Sequence, residues 1–285
     1  MVLKNFGYLP EEFSGLDESQ IVVVPVPYDK TSTWIKGADK GPSALIEASG
    51  NMELYNIETD SSVCEKGIFT DKPVKEDSTP EKMVAAVRKR VEGHISNGKF
   101  VVVLGGEHSV TFGSVQAHAD RFKNMSVLQL DAHSDLRDEY EGSKYNHACV
   151  MARIKEICPI VQVGIRSMDV SEKENLGKNN VFFAKDIYDN REWMDKAVAL
   201  LKDNVYITID LDVFDPAIMP STGTPEPGGL GWYDVLALLK KVVASRNVVG
   251  FDVVELCPSK HNKAPDFLAA KLVYSLLGYK FYQGV

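Results

Sequence analysis

The sequence predicts an α/β fold, a mostly parallel sheet covered by helices. Apolar runs of strand length rich in Val and Ile recur along the chain, and their hydrophobicity is continuous rather than alternating, as expected of strands buried on both faces. Segments with helical periodicity lie between them, and strands alternating with helices give a sheet with helices packed on it. No Gly/Ser-rich or Pro-rich stretch separates two cores, and there is no internal repeat, so residues 1–285 read as one domain.

In chain order, the first strand is expected over 21–26 and a helix over 42–56, where Pro42 suits a first helical turn and Gly41 a cap. Residues 60–79 are polar and irregular and read as a surface excursion. A helix follows over 80–96, opened by Pro80 with Thr79 as its cap, then a strand over 100–104 and a helix over 110–119. Strands are expected over 126–130, 160–163 and 181–184, a helix over 192–202 and a strand over 205–209. Residues 215–231 hold four Pro and four Gly and read as a rim loop, with Asp215 before Pro216 as a turn residue. A helix over 231–244, a strand over 248–254 and a helix over 265–277 complete the chain.

Composition narrows the function. Of 285 residues, 44% are hydrophobic and 25% charged, which excludes disordered, collagen-like and coiled-coil classes. No apolar run reaches the roughly 18 residues of a membrane span, and Met1 to Gly7 lack a basic segment leading into an apolar one, so a cytoplasmic location is expected. The net charge of −8 argues against a nucleic-acid surface. Cys64, Cys149, Cys158 and Cys257 are widely spaced without a CxxC and read as free thiols of a reducing compartment. Cys149 is assigned to packing rather than nucleophilic chemistry.

The chemistry lies after the strands, where open α/β sheets bind ligands. The 100–104 strand runs into Gly105-Gly106-Glu107-His108-Ser109, and the 126–130 strand into Asp131-Ala132-His133-Ser134-Asp135. The 205–209 strand ends in Asp210-Leu211-Asp212, and the last strand leads to Glu255. Together these ends supply the carboxylates Asp131, Asp135, Asp210, Asp212 and Glu255 with His108 and His133. Such a cluster repels itself in a protein interior unless cations neutralise it. Oxygen-rich ligation with one imidazole per ion suits Mn²⁺ better than a thiolate-type zinc site. In Asp131-Ala132-His133 and Asp210-Leu211-Asp212, residues two apart face the same side of an extended segment and can reach one metal pair. His94, His118 and His261 read as ordinary structural histidines.

These four segments, with Val213-Phe214-Asp215-Pro216, Leu256-Cys257-Pro258 and the stretch Gly37–Ser49, resemble the signatures of the ureohydrolase family of arginases, agmatinases and relatives. Glu107 stands where many members carry Asp. The resemblance implies a three-layer α/β/α, arginase-like fold with two Mn²⁺ per chain and trimeric or hexameric assembly. It assigns His108, Asp131, Asp135 and Asp210 to one metal and His133, Asp131, Asp210 and Asp212 to the other. A bridging hydroxide would be the nucleophile, oriented by Asp135. Glu255 would hold a cationic guanidinium by a charge-assisted contact, and His147 would protonate the departing amine, a task suited to an imidazole.

The substrate is expected to be a small guanidino cation. Asp138, Glu139 and Glu141, in the loop before His147, are expected to repel an α-carboxylate and favour a second cation. Agmatine, yielding putrescine and urea, is therefore the expected substrate and polyamine biosynthesis the expected role. Arginine, guanidinobutyrate, formimidoylglutamate and guanidine are the alternatives within the family, and Arg137 and Lys144 would suit an acidic tail. A binuclear phosphoesterase would want more than Arg137 and Arg166 beside the metals.

Overall fold

The computed structural model describes residues 4–282, so the N-terminal reading at Met1, Val2 and Leu3 lies outside it. Eight parallel strands form one sheet: β1 (Ile21–Val26), β2 (Ile68–Thr70), β3 (Phe100–Gly105), β4 (Met125–Leu130), β5 (Ile160–Ile165), β6 (Val181–Phe183), β7 (Asn204–Asp210) and β8 (Asn247–Val254). Their order is β2-β1-β3-β8-β7-β4-β5-β6. The helices are α1 (Gly41–Ser49), α2 (Pro80–Ser96), α3 (Thr111–Arg121), α4 (Val150–Lys155), α5 (Ala184–Ile187), α6 (Trp193–Leu200), α7 (Trp232–Ser245) and α8 (Ala264–Phe281).

The two-residue period of a strand sorts its side chains between two cores. Ile21, Val23, Val102, Leu104, Leu128 and Leu130 pack with residues of α1, α6, α7 and α8 on one face. Val22, Val24, Val101, Val103 and Val127 pack with α2, α3 and α4 on the other. Both faces are thus covered, which is the three-layer α/β/α arrangement and the reason the strands read as continuous apolar runs.

Departures from the sequence reading have local causes. Helix α1 stops at Ser49 rather than reaching residue 56. There the Asn51 and Met52 N–H groups bond three residues back to Ala48 and Ser49 in a tightening turn, and Gly50 packs on the Tyr8 ring, from which a Cβ would lie 2.3 Å. Its N-cap is Lys40, and Gly41 is already helical. Thr79 does cap α2, accepting from the Lys82 N–H at 3.3 Å. Strand β2, inside the 60–79 excursion, is a three-residue sheet edge, and α4 and α5 are six and four residues long, too short for a periodic signal. His261 is exposed, His94 pairs with Asp71 at 2.7 Å, and His118 is buried with its Nδ1–H donating to the Ser114 carbonyl at 2.8 Å. Asp215 is the turn residue expected, accepting from the Ala217, Gly228 and Gly229 N–H groups.

Candidate active site

The sheet order decides the site. Strands β3, β8, β7 and β4 are adjacent at its centre, so the four strand ends with acidic and histidine-bearing sequences open onto one rim. Gly106 permits the tight approach of β3 to the loop after β1, since a Cβ there would lie 2.0 Å from the Tyr28 carbonyl oxygen. Asp135 and Glu255 both take left-handed backbone, at φ 52° and 65°. Strain of this kind in carboxylates persists only where surroundings enforce it. The Asp135 carbonyl accepts from Met151 and Ala152 N–H, and the Glu255 N–H donates to the Gly106 carbonyl at 2.7 Å.

His108 anchors the deepest part. Its Nδ1 lies 3.1 Å from Asp131 Oδ2, 3.0 Å from Asp135 Oδ2 and 3.4 Å from Asp210 Oδ2. On the ring's other side Nε2 lies 2.8 Å from Thr208 Oγ1, whose proton goes to Asp252 Oδ1 at 2.6 Å. Thr208 therefore accepts from the Nε2–H, and Nδ1 faces three carboxylates. Burial opposes a charge on the ring, but Asp131 and Asp135 override it and hold the His108 pKa well above its ordinary value, so that without a metal Nδ1 carries a proton. Though buried and close to these oxygens, Nδ1 makes no well-aligned hydrogen bond to any one of them. A divalent ion in place of that proton would be met by Nδ1 and the carboxylates together, and a protein residue holding the far nitrogen of a ligating imidazole is the usual support of a metal site.

A second group adjoins the first. His133 Nδ1 lies 2.8 Å from Asp212 Oδ2 and 3.7 Å from Asp131 Oδ1. His108, Asp131 and Asp135 form one cluster able to hold a metal ion, and Asp131, His133 and Asp212 another. Asp131 belongs to both, facing His108 through Oδ2 and His133 through Oδ1. Asp210 stands beside the first cluster without completing it. The donor set, carboxylate oxygens with one imidazole in each cluster, suits hard to borderline divalent ions.

The electrostatics match. Burial, then Asp212 and Asp135, push the Asp131 carboxyl up to about 7. Burial and the charges of Asp212 and Asp131 hold Asp210 well above the carboxylate range, and burial with Glu107 does the same to Glu255. Burial also opposes ionisation of Asp212, but His133 overrides it and draws Asp212 down to about 2. His133, disfavoured as a cation by burial, is still raised to about 10 by Asp212. The metal-free cluster thus holds protons where bound cations would release them.

Above these groups lies a cavity of about 280 Å³ lined by His133, Asp135, Asp210, Asp212, His147 and Glu255 among others. His108 and Asp131 sit beneath it, at 1% and 0% exposure. His147 meets Thr31 Oγ1 through its N–H at 3.0 Å and its Nδ1 at 3.2 Å. Glu255 Oε1 accepts from the His108 N–H at 2.8 Å. The sequence-expected residues are thus brought together, but the acidic loop is not among them. Asp138, Glu139 and Glu141 are exposed and none lines the cavity, because Asp138 turns to Arg153 at 2.5 Å and Lys144 at 3.3 Å. The acidity near the mouth comes instead from Asp169 and Glu172, both near Arg137, at 3.5 and 3.6 Å. Arg166 is saturated by the carbonyls of Gly164, Asp212, Phe214 and Glu226, so it is not free to bind a phosphate. Cys149 is fully buried and its thiol is pushed up to about 12, chiefly by burial, as befits packing.

Sequence reasoning overlooked the residues that hold the ligand-type groups. Gln129 donates to Asp131 Oδ2 at 2.7 Å and is itself held by Gln162 at 2.6 Å. Thr208, Tyr206 and Asp252 form the support under His108, the tyrosine donating to Asp252 at 2.7 Å. Glu172 accepts from the Ser134 hydroxyl and the Leu136 N–H, fixing the chain around Asp135. A signal was present, since Gln129, Gln162, Thr208 and Asp252 are polar residues inside otherwise apolar strands.

Residues 19–278 match the family model described as Arginase family. The chain belongs to the arginase family. A ureohydrolase for N(1)-aminopropylagmatine from Synechocystis is 39% identical over 280 residues, covering 94% of this chain and 92% of its own. An agmatinase from Pyrococcus horikoshii is 32% identical, covering 98% and 99%. The crystal structure of the agmatine ureohydrolase of Thermoplasma volcanium superposes with a TM-score of 0.88 at 33% identity, covering 98% and 95%. This arginase-family chain is accordingly a hydrolase, a ureohydrolase of agmatinase type, and its sheet is the arginase-like one. No helix among the described residues is long and apolar enough to cross a membrane.

Proposed function

We propose that the whole 1–285 span acts as one cytoplasmic ureohydrolase domain that hydrolyses the guanidinium of agmatine, giving urea and putrescine, and so serves polyamine synthesis. The observation that carries the reading is the acid-lined cavity over two His/Asp clusters that share Asp131. His108, Asp131, Asp135 and Asp210 would hold one divalent ion and His133, Asp131, Asp210 and Asp212 the other, with manganese suited to this donor set. When bound, two such ions lower the pKa of a water to roughly 7 and supply the hydroxide that a resonance-stabilised guanidinium requires.

The chain's own residues do the rest. Glu255, fixed by the His108 N–H, holds the guanidinium by a charge-assisted hydrogen bond. Asp135 accepts from the attacking oxygen and orients it. The bond between the guanidino carbon and the alkyl-bearing nitrogen breaks, His147 gives that nitrogen a proton, and the oxygen leaves in urea. Beyond the proposed ligands and Glu255, Asp169 and Glu172 face the cavity against the single guanidinium of Arg137, which favours a substrate with a cationic tail. The four free cysteines fit a reducing compartment.

N(1)-aminopropylagmatine is the second reading, favoured by the activity named for the Synechocystis relative. The same cleavage would then release the aminopropyl-extended amine. Urea release measured with agmatine, N(1)-aminopropylagmatine and arginine at matched concentrations tests both. Leaving the arginine carboxylate without a free cationic partner costs several kcal/mol, so arginine is expected to trail by about three orders of magnitude in kcat/KM at about 1.4 kcal/mol per tenfold. A higher kcat/KM for the aminopropyl compound selects the second reading, and arginine outrunning both amines overturns both.

A further inference from the structure

The loop joining β1 to α1 is pinned by two carboxylates. At its base Asp29 accepts from the Gly37 and Ala38 N–H groups at 2.6 and 3.1 Å. At its start the fully buried Glu107 accepts from the Thr31 N–H at 2.5 Å, the Thr31 hydroxyl at 2.5 Å, the Ser32 N–H at 3.0 Å and the Ser109 hydroxyl at 2.6 Å. Thr31 Oγ1 then meets His147 twice, at the backbone N–H and at Nδ1, 3.0 and 3.2 Å away.

The donor count at Thr31 leaves one solution. A hydroxyl has one proton and two acceptor lone pairs. Its proton lies toward Glu107 Oε1, because two oxygens 2.5 Å apart need a hydrogen between them and Glu107, which already takes two N–H groups and the Ser109 hydroxyl, is the acceptor of the pair. Of the two lone pairs, one takes the His147 N–H. The other faces His147 Nδ1, which must therefore carry a hydrogen. We infer that Thr31 and Glu107 are positioning residues that fix His147 in its Nδ1–H tautomer, so that Nε2 is the nitrogen that exchanges the working proton. The part of His147 in proton delivery rests on the proposed function, whereas the tautomer rests on the hydrogen bonds alone.

This arrangement has consequences a purely structural tie would lack. An imidazole free to exchange tautomers presents a protonated or a bare nitrogen to the substrate at random, which lowers turnover and leaves substrate binding alone. It also couples the first strand's loop to a residue 116 positions away in the chain.

The test uses protein labelled with ¹⁵N-histidine and reconstituted with diamagnetic Zn²⁺, with the His147 signals assigned by their loss in His147→Asn. Long-range ¹H–¹⁵N correlation is expected to show a protonated Nδ1 and a bare Nε2 in the neutral ring. In Thr31→Val the tautomers should mix and kcat for urea release should fall about 10- to 100-fold, with KM within about twofold. Thr31→Ser, which keeps the hydroxyl, should restore both. A neutral His147 carrying its proton on Nε2 in the unmutated protein, or a Thr31→Val protein with unchanged tautomer and kcat, would overturn the inference. The wild-type spectrum decides it even if Thr31→Val fails to fold. Failure to release urea from any guanidino compound would sink the proposed function instead, and the spectrum would still decide the tautomer.

Discussion

Replacing Thr208 by Val removes one hydroxyl and almost no volume, so its effects come from hydrogen bonds alone. Two buried groups lose a partner, His108 Nε2–H at 2.8 Å and Asp252 Oδ1 at 2.6 Å. Each deserted buried group costs about 1–3 kcal/mol, and Tyr206 continues to hold the other Asp252 oxygen. A loss of about 3 kcal/mol is expected, which lowers Tm by roughly 6–12 °C in a chain of this size. His108 also loses the contact that aims its Nδ1, so affinity for the first divalent ion should fall about 10- to 100-fold. Thermal melts of metal-free protein read the first effect and a calorimetric Mn²⁺ titration the second, with Thr208→Ser close to wild type in both. Wild-type melting and wild-type metal affinity in Thr208→Val would refute the role of Thr208 in holding Nε2 and aiming Nδ1 at the metal site.

Other perturbations separate the roles of single residues. Asp131→Asn should deplete both ions, because Asp131 is common to both clusters, and elemental analysis showing one ion still fully bound would break the shared assignment. His147→Asn should lower kcat by roughly 10²–10⁴-fold with metal content unchanged; a loss of metal would instead make it a ligand. His118 has its pKa lowered to about 4 by burial, so the folded protein keeps it neutral where the unfolded chain binds a proton. Its contribution is intact above the ordinary histidine value near 6.5 and is lost as pH falls from there toward 4, by about 3 kcal/mol in total. Denaturant titrations of His118→Gln should lose this part of the pH slope, and an identical slope would show that His118 titrates normally.

The strands and the acidic strand ends were legible because both are local patterns. An apolar run followed at once by Asp or His is visible in a single window, as at Leu130 and Asp131. The sheet order was not legible, since no residue in β3 announces that β8 will lie beside it. Charge gave no direction for the loop before His147: Asp138 reads as a substrate-facing acid until Arg153, 15 residues on, claims it. The Glu107–Thr31–His147 chain joins three distant segments and has no spacing to betray it. Gln129 and Thr208 were readable in principle, because a polar side chain inside a buried strand needs a partner, but which partner depends on the sheet order.

Counting metal and urea on one sample tests the central claim most directly. Protein reconstituted with Mn²⁺ should carry two ions per chain and release urea from agmatine or its aminopropyl derivative, and chelation should abolish turnover and lower Tm together. Full activity with one ion or none would contradict a reaction built on two clusters sharing Asp131.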